Sequence, residues 1–388
     1  MSIKSAAVIG AGMAGLTAAL SFARHGIRSE IFEQAPQITE VGAGLQISPN
    51  AARILAKLGA LPEIERHWCE PNEVRLASGV TLKPLAAVAT GAFARKRWGA
   101  PYGVLHRSTL QQALLTQVLH NPLCRLHLGC RLEQPDAETI GRMTGSPPEL
   151  IVGADGAWST ARKLVAGSPQ IRFSGNIAWR FTVPSAGAPS FLDPVNVTAY
   201  LGPNTHLVAY PLKEIDGFNI VAIAAGNDPG ETWSAVGSAA QRALLLRQFA
   251  GWNIEICTLL ASFGNATFWP LYEALDGRWQ NGRDTVLIGD AAHAMMPFSA
   301  QGAAMAIEDA FELAGEVSGA LPLPEALAHF ETNRKARAAR VRQRGAFNKF
   351  AYHARGPVRL GRDIVLSLRS PQSLAGDLDW LYGYRAKG

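Results

Sequence analysis

The stretch AAVIGAGMAG, residues 6–15, decides the fold. Ala6–Gly10 is a short apolar run of strand type, and a helical run from Leu16 to Arg24 follows, stopped by Gly26. Arg28–Phe32 reads as the next strand, ended by Glu33. Gly10 permits a tight strand-to-helix turn, Gly12 lets the backbone approach a pyrophosphate, and Gly15 allows close packing of helix on strand. The helix N-terminus then presents about half a positive charge to phosphates. Glu33 stands 18 positions beyond Gly15, where a carboxylate can accept from ribose hydroxyls. Glycine triplets recur by chance, but here strand, turn, helix, strand and acid all agree.

Working outward, Thr39–Ile47 is Gly-rich, and Ser48-Pro49-Asn50 opens a helix through Leu58 that Gly59 stops. His106–Leu119 reads as another helix. The pattern weakens over Leu123–Glu149, with Gly141–Pro148 expected as a loop, before the buried strand Leu150–Gly153 leads into GADGAWSTAR (153–162). Beyond Gly167 the alternation becomes β-like. Val195–Leu201, His206–Leu212 and Phe218–Ala225 predict an antiparallel meander, and Ser238–Trp252 a helix. Thr285–Ile288 is a last buried strand, followed by GDAAH and a helical C-terminal third. The fold class expected is α/β. A Rossmann-like domain with a parallel sheet (1–70, 100–166 and 280–330) is interrupted by an antiparallel-sheet domain (71–99 and 167–279), with C-terminal helices over 331–388.

Composition narrows the function. The chain has 388 residues, 48% hydrophobic and 18% charged, which excludes extended disorder. No run approaches the roughly 18 apolar residues of a spanning helix. Cys69, Cys124, Cys130 and Cys257 include no CxxC pair, and no neighbouring histidine completes a zinc-type spacing, so no metal is expected. These thiols read as reduced core residues of a cytoplasmic protein. The net charge of +6 is concentrated between Glu331 and Arg362, where ten basic residues face one acid. Little aromatic residue interleaves with them, so no nucleic acid is implied; solvated helix faces or a subunit contact account for the tract.

In TVLIGDAAHAMMPFSAQGAAMAIEDA (285–310) an apolar strand delivers Asp290 to its C-terminal end, where it can accept from a polyol hydroxyl. Pro297 breaks the chain. The helix start at Gln301–Ala304 offers free N–H groups to an electron-rich ligand edge. With GAGMAG, GADGAWSTAR, VGAGLQISPN (41–50), HRSTLQQAL (106–114) and DWLYGY (379–384), these segments resemble the single-component FAD-dependent aromatic-ring hydroxylases, most closely the salicylate hydroxylase and 3-hydroxybenzoate hydroxylase group.

The resemblance implies a flavoprotein monooxygenase of aromatic-compound degradation with non-covalent FAD, using NADH or NADPH and O2 to hydroxylate a small phenolic acid. In that family O2 adds at flavin C4a and the hydroperoxide transfers OH. It also implies cofactor-binding roles for Gly10, Gly12, Ala14, Gly15, Glu33 and Gln34. Arg107 corresponds to the arginine near the FAD phosphates, Asp155 to the segment serving both nucleotides, and Asp290 to the ribitol ligand. Pro297, Gly302 and Ala303 lie beside the flavin. The phenol needs a base, and His206 is the candidate, with Tyr210 four residues on and on the same strand face; alternatively His206 is only a strand-end histidine. Arg180 meets a substrate carboxylate or forms a surface salt bridge. Gln46, with Pro297, is a candidate substrate contact; relatives acting on hydroxypyridine carboxylates carry histidine at the position of Gln46. His293 is expected to hold the strand-to-helix turn. No membrane insertion is implied, and a monomer or homodimer suffices. Two other classes share the architecture: a flavin-dependent reductase of polyprenyl chains, and a non-enzymatic prenyl-protein binder; within the monooxygenases, epoxidation or hydroxylation of a non-carboxylate ring is the alternative.

Overall fold

The Gly-rich turn fixes where the chain first folds back. In the computed structural model, which describes residues 3–38, 44–228, 230, 235–263 and 267–388, strand Ser5–Ile9 passes through Gly10, at φ +100°, into helix Met13–Ala23. The helix begins three residues before the Leu16 expected, because Gly12 already serves as its N-cap. A Cβ on Gly15 would lie 1.9 Å from the Gly10 carbonyl oxygen, so only glycine lets this helix sit on its strand. Met13–Phe22 is buried throughout, with one face on the sheet and another on helix Gly302–Ser318.

Five parallel strands form the first sheet, in the order Thr285–Leu287, Leu150–Gly153, Ser5–Ile9, Arg28–Phe32 and Cys124–His127. A segment near residue 285 therefore pairs with one near residue 150, across everything between them. Cys124–His127 was not legible because it is a short, half-exposed edge strand without clear alternation. The loop expected over Gly141–Pro148 needs correction. Ala137–Thr144 is a helix, capped by Asp136 accepting from the Thr139 N–H at 2.8 Å, and only its C-cap Gly145 and the residues beyond form the loop.

The second sheet has eight strands drawn from residues 73–89 and 171–274. Val197–Gly202, Thr205–Leu212 and Gly217–Ala225 form the expected meander. One pair departs from antiparallel order: Val197–Gly202 runs parallel to Glu73–Ser78. A small ribbon, Gly44–Ile47 against Gly103–His106, lies on this sheet. Gly44 makes the approach possible, since a Cβ there would sit 2.6 Å from the Tyr210 ring. Its N–H donates to Asn219 Oδ1 at 2.8 Å. Residues 39–43, which begin the Gly-rich stretch, lie outside the described residues.

Helices Leu323–Tyr352 and Gly356–Ser367 close the C-terminal side. All four cysteines are half-buried rather than core residues as expected. No helix among the described residues is long and apolar enough to cross a membrane.

Candidate active site

The two sheets face each other across a cavity of about 310 Å³. From the parallel-sheet side it is lined by Ala14, Arg107, Asp290, Pro297, Gly302 and Ala303. Arg180, His206 and Tyr210 line it from the large sheet, and Gln46 from the ribbon. Ten residues singled out from sequence, scattered over the chain, thus share one cavity. Gly10, Gly12 and Gly15 shape the adjoining turn. Glu33 closes its strand and accepts from the Ala11 N–H at 2.8 Å and the Ala35 N–H at 2.9 Å, while Gln34 beside it is exposed. Asp155 is not among the lining residues: its Oδ2 accepts from the backbone N–H groups of Thr160 (2.7 Å) and Ala161 (3.2 Å), and its Oδ1 is buried without a hydrogen-bond partner.

Asp290 sits on a turn held from behind by buried charges. Asp309 Oδ2 accepts from the Gly289 N–H at 2.9 Å and pairs with His293 Nε2 at 2.5 Å; Asp309 Oδ1 accepts from Arg334 Nε at 2.7 Å. Burial pushes the Asp309 carboxyl up, but His293 and Arg334 outweigh it and hold it at about 2. His293 therefore has the turn-holding position expected of it. The basic tract does not. Arg334 is fully buried and also meets Glu308 at 3.0 Å and Glu312 at 3.4 Å, while Arg337 meets Glu308 at 2.9 Å and stacks on Tyr384 at 4.0 Å. Solvated helix faces do not describe these two arginines. Their partners lie on helix Gly302–Ser318, whose first turn faces the cavity.

Arg180 also departs from the surface salt bridge considered for it. It lines the cavity, its guanidinium lies 5.1 Å from the Trp269 ring centroid, and its Nε is buried without a hydrogen-bond partner. Tyr210 is buried on the same face of its strand as His206, and burial raises its phenol pKa against the opposing charge of Arg180.

His206 is buried, and its Nδ1 lies 2.9 Å from His353 Nε2, at the end of helix Leu323–Tyr352. Its ring packs 5.1 Å from Phe298 and 5.5 Å from Tyr352. His353 was missed because its partner is 147 positions away, with no local pattern linking the two. On the far side of His206 lies a second, largely apolar cavity of about 490 Å³. The two cavities share Gln46, His206, Val208, Pro297 and Ala300. Tyr102 donates to Gln46 Oε1 at this junction. Ala300 holds φ at +51°, a left-handed conformation unusual for alanine, immediately before the helix start.

These features fit an FAD. The Gly12 Cα faces open space, and the helix at Gly302 has no side-chain cap, so its first N–H groups remain available. Asp290 lines the cavity with its carboxylate free of hydrogen bonds among the described residues. The FAD binding domain family matches residues 4–345. A 3-amino-4-hydroxybenzoate 2-monooxygenase of Streptomyces platensis is 36% identical over 390 residues, covering 98% of this chain and 96% of the relative. A 3-hydroxybenzoate 6-hydroxylase of Aquipseudomonas alcaligenes is 33% identical over 384 residues, covering 97% and 96%. Two solved structures share the fold at 22% identity. HpxO of Klebsiella pneumoniae, complexed with FAD and uric acid, has a TM-score of 0.79 over 97% of this chain and 95% of that one. A salicylate hydroxylase substrate complex has 0.78 over 99% and 96%. The chain belongs to the FAD binding domain family and, within it, to the flavoprotein monooxygenases that hydroxylate aromatic rings.

Proposed function

We propose that the protein hydroxylates a phenolic aromatic acid of the hydroxybenzoate type, taking electrons from NADH or NADPH and oxygen from O2. One oxygen atom enters the ring and the other leaves as water, with the two electrons supplied by the nicotinamide. FAD, when bound, supplies the redox chemistry. Gly10, Gly12, Ala14, Gly15, Glu33, Arg107, Asp290, Gly302 and Ala303 would hold it, with Gln34 and Asp155 serving through the loops they occupy. The chain's own part is to position the ring, keep water out and take the phenol proton. An ionised phenol is the more nucleophilic ring.

The observation that carries this reading is the place of His206, buried where the two cavities meet. If its Nδ1–H donates to His353 Nε2, Nε2 keeps a lone pair for the phenol proton. Tyr210 stands on the same strand face toward the cofactor side. A screen of NADH and NADPH oxidation against phenolic acids, with hydroxylated product and peroxide measured separately, tests the reading. Coupled product from at least one acid is expected. Protein that cannot be loaded with FAD, or oxidation that yields peroxide alone with every acid, sinks it.

The histidine pair also sets a stability trend. Burial, then the neighbouring His353, lowers the pKa of His206 well below its ordinary value, and burial with nearby Lys349 lowers His353 to about 4. Both are neutral in the native protein at pH 6.5, whereas an unfolded histidine takes up a proton from about that pH downward. The unfolded state therefore binds more protons as pH falls from about 6.5 toward 4, and stability drops over that window. A loss of about 2–5 kcal/mol is expected from urea unfolding at pH 7 and pH 4.5, at about 1.4 kcal/mol per pH unit for each histidine. His206→Phe should flatten the dependence; an unchanged slope in this variant removes the pair as its source.

A further inference from the structure

We infer that Arg344 binds the carboxylate of the substrate, and that the substrate is an aromatic acid enlarged by an apolar substituent or a second ring. The inference rests on the proposed hydroxylase reading and deepens it. Three arginines line the 490 Å³ cavity: Arg344, Arg362 and Arg369. Two are already committed. Arg362 pairs with Asp363 at 2.7 Å and donates to the Ala351 carbonyl at 2.8 Å. Arg369 forms a two-pronged pair with Asp377, at 2.5 and 3.0 Å.

Arg344 is different. Among the described residues its guanidinium makes no hydrogen bond or ion pair, its Nε is buried without an acceptor, and it lies 5.6 Å from the Phe347 ring centroid. A guanidinium carries five donors in a planar fork that matches a carboxylate, and a buried donor left unmatched is costly. A ligand carboxylate satisfies the buried Nε and neutralises the charge together. Asp377, the carboxylate that also lines this cavity, is hydrogen-bonded by Arg369; that bond and, less strongly, the charge of Arg344 lower its pKa, but Arg344 makes no hydrogen bond or ion pair with it among the described residues.

The walls set the rest of the ligand. The reacting end is marked by His206, Gln46 and Pro297, which the cavity shares with the cofactor side. Beyond them the sheet contributes Leu76, Val88, Val197 and Leu201, and helix Gly356–Ser367 contributes Val358 and Val365. Pockets of roughly 300–1,000 Å³ hold ligands of drug size, so this one exceeds the needs of a single hydroxylated ring. An apolar extension would cover these side chains and displace the water that would otherwise lie against them.

The test uses the full-length, FAD-loaded enzyme and reads binding from the shift in flavin absorbance, independently of turnover. The probes are hydroxybenzoates, their alkyl-substituted forms, hydroxynaphthoates, and the carboxamide of each. The enlarged acids are expected to bind at least tenfold more tightly than the single-ring acids. Arg344→Gln should weaken binding of the acids about 10- to 100-fold, the range for a hydrogen bond to a charged group, and leave the carboxamides within twofold. Arg344→Lys should restore part of the loss. Equal weakening of acids and carboxamides, no weakening, equal affinity for small and enlarged acids, or no flavin shift with any acid overturns the inference. Failure of the hydroxylase reading looks different: acids that bind tightly and depend on Arg344 yet yield no hydroxylated product.

Discussion

Arg334→Leu is expected to destabilise the protein by about 3–5 kcal/mol, the usual cost of removing one partner from a buried ion network. The arginine is fully buried among Asp309, Glu308 and Glu312, at 2.7, 3.0 and 3.4 Å. Burial opposes its charge, but the three carboxylates outweigh that and raise the guanidinium pKa above its ordinary value. Leucine fills part of the volume and leaves the acids facing one another, with Arg337 the one arginine still ion-paired to them among the described residues. The damage should reach the proposed cofactor site. Asp309 accepts from the Gly289 N–H and so fixes the turn that presents Asp290. A lower urea midpoint and release of FAD at lower temperature are the expected readouts. Arg334→Lys keeps a charge but not the fork, and should lie between the two. Parent-like unfolding of Arg334→Leu would mean that the network contributes no stability.

His206→Ala is expected to lower hydroxylation about 10²- to 10⁴-fold, the usual contribution of a positioned general base. The loss should be greatest near pH 7 and shrink toward pH 10, where a phenol with a tyrosine-like pKa ionises without help. Binding of the aromatic acid, read from flavin absorbance, should change far less than turnover. The pH profile separates the two roles left open for this residue. A base lost from the site is replaced by solution hydroxide, whereas a packing defect beside Phe298 and Tyr352 would lower the rate at every pH. Unchanged turnover and an unchanged profile would remove His206 from the chemistry.

The features readable in advance were those set by local constraint. At Gly10 and Gly15 the turn leaves so little room that glycine is required, and the proposed cofactor cradle could be read from that spacing. The meander around His206 followed from two-residue alternation broken by turn residues. The same rule placed His206 and Tyr210 on one face before any cavity was known.

What tertiary structure alone decided is where charges and cavities lie, because both depend on elements far apart in the chain. A basic run looks solvated until Glu308, Asp309 and Glu312 are brought under Arg334. Arg180 passes for a surface residue until Trp269 covers it. Likewise, the partnership of His206 with His353, and the cavity holding Arg344, form only where the C-terminal helices meet the large sheet. Local sequence carries backbone sterics and periodicity, whereas desolvation and ion pairing depend on which distant groups displace the water.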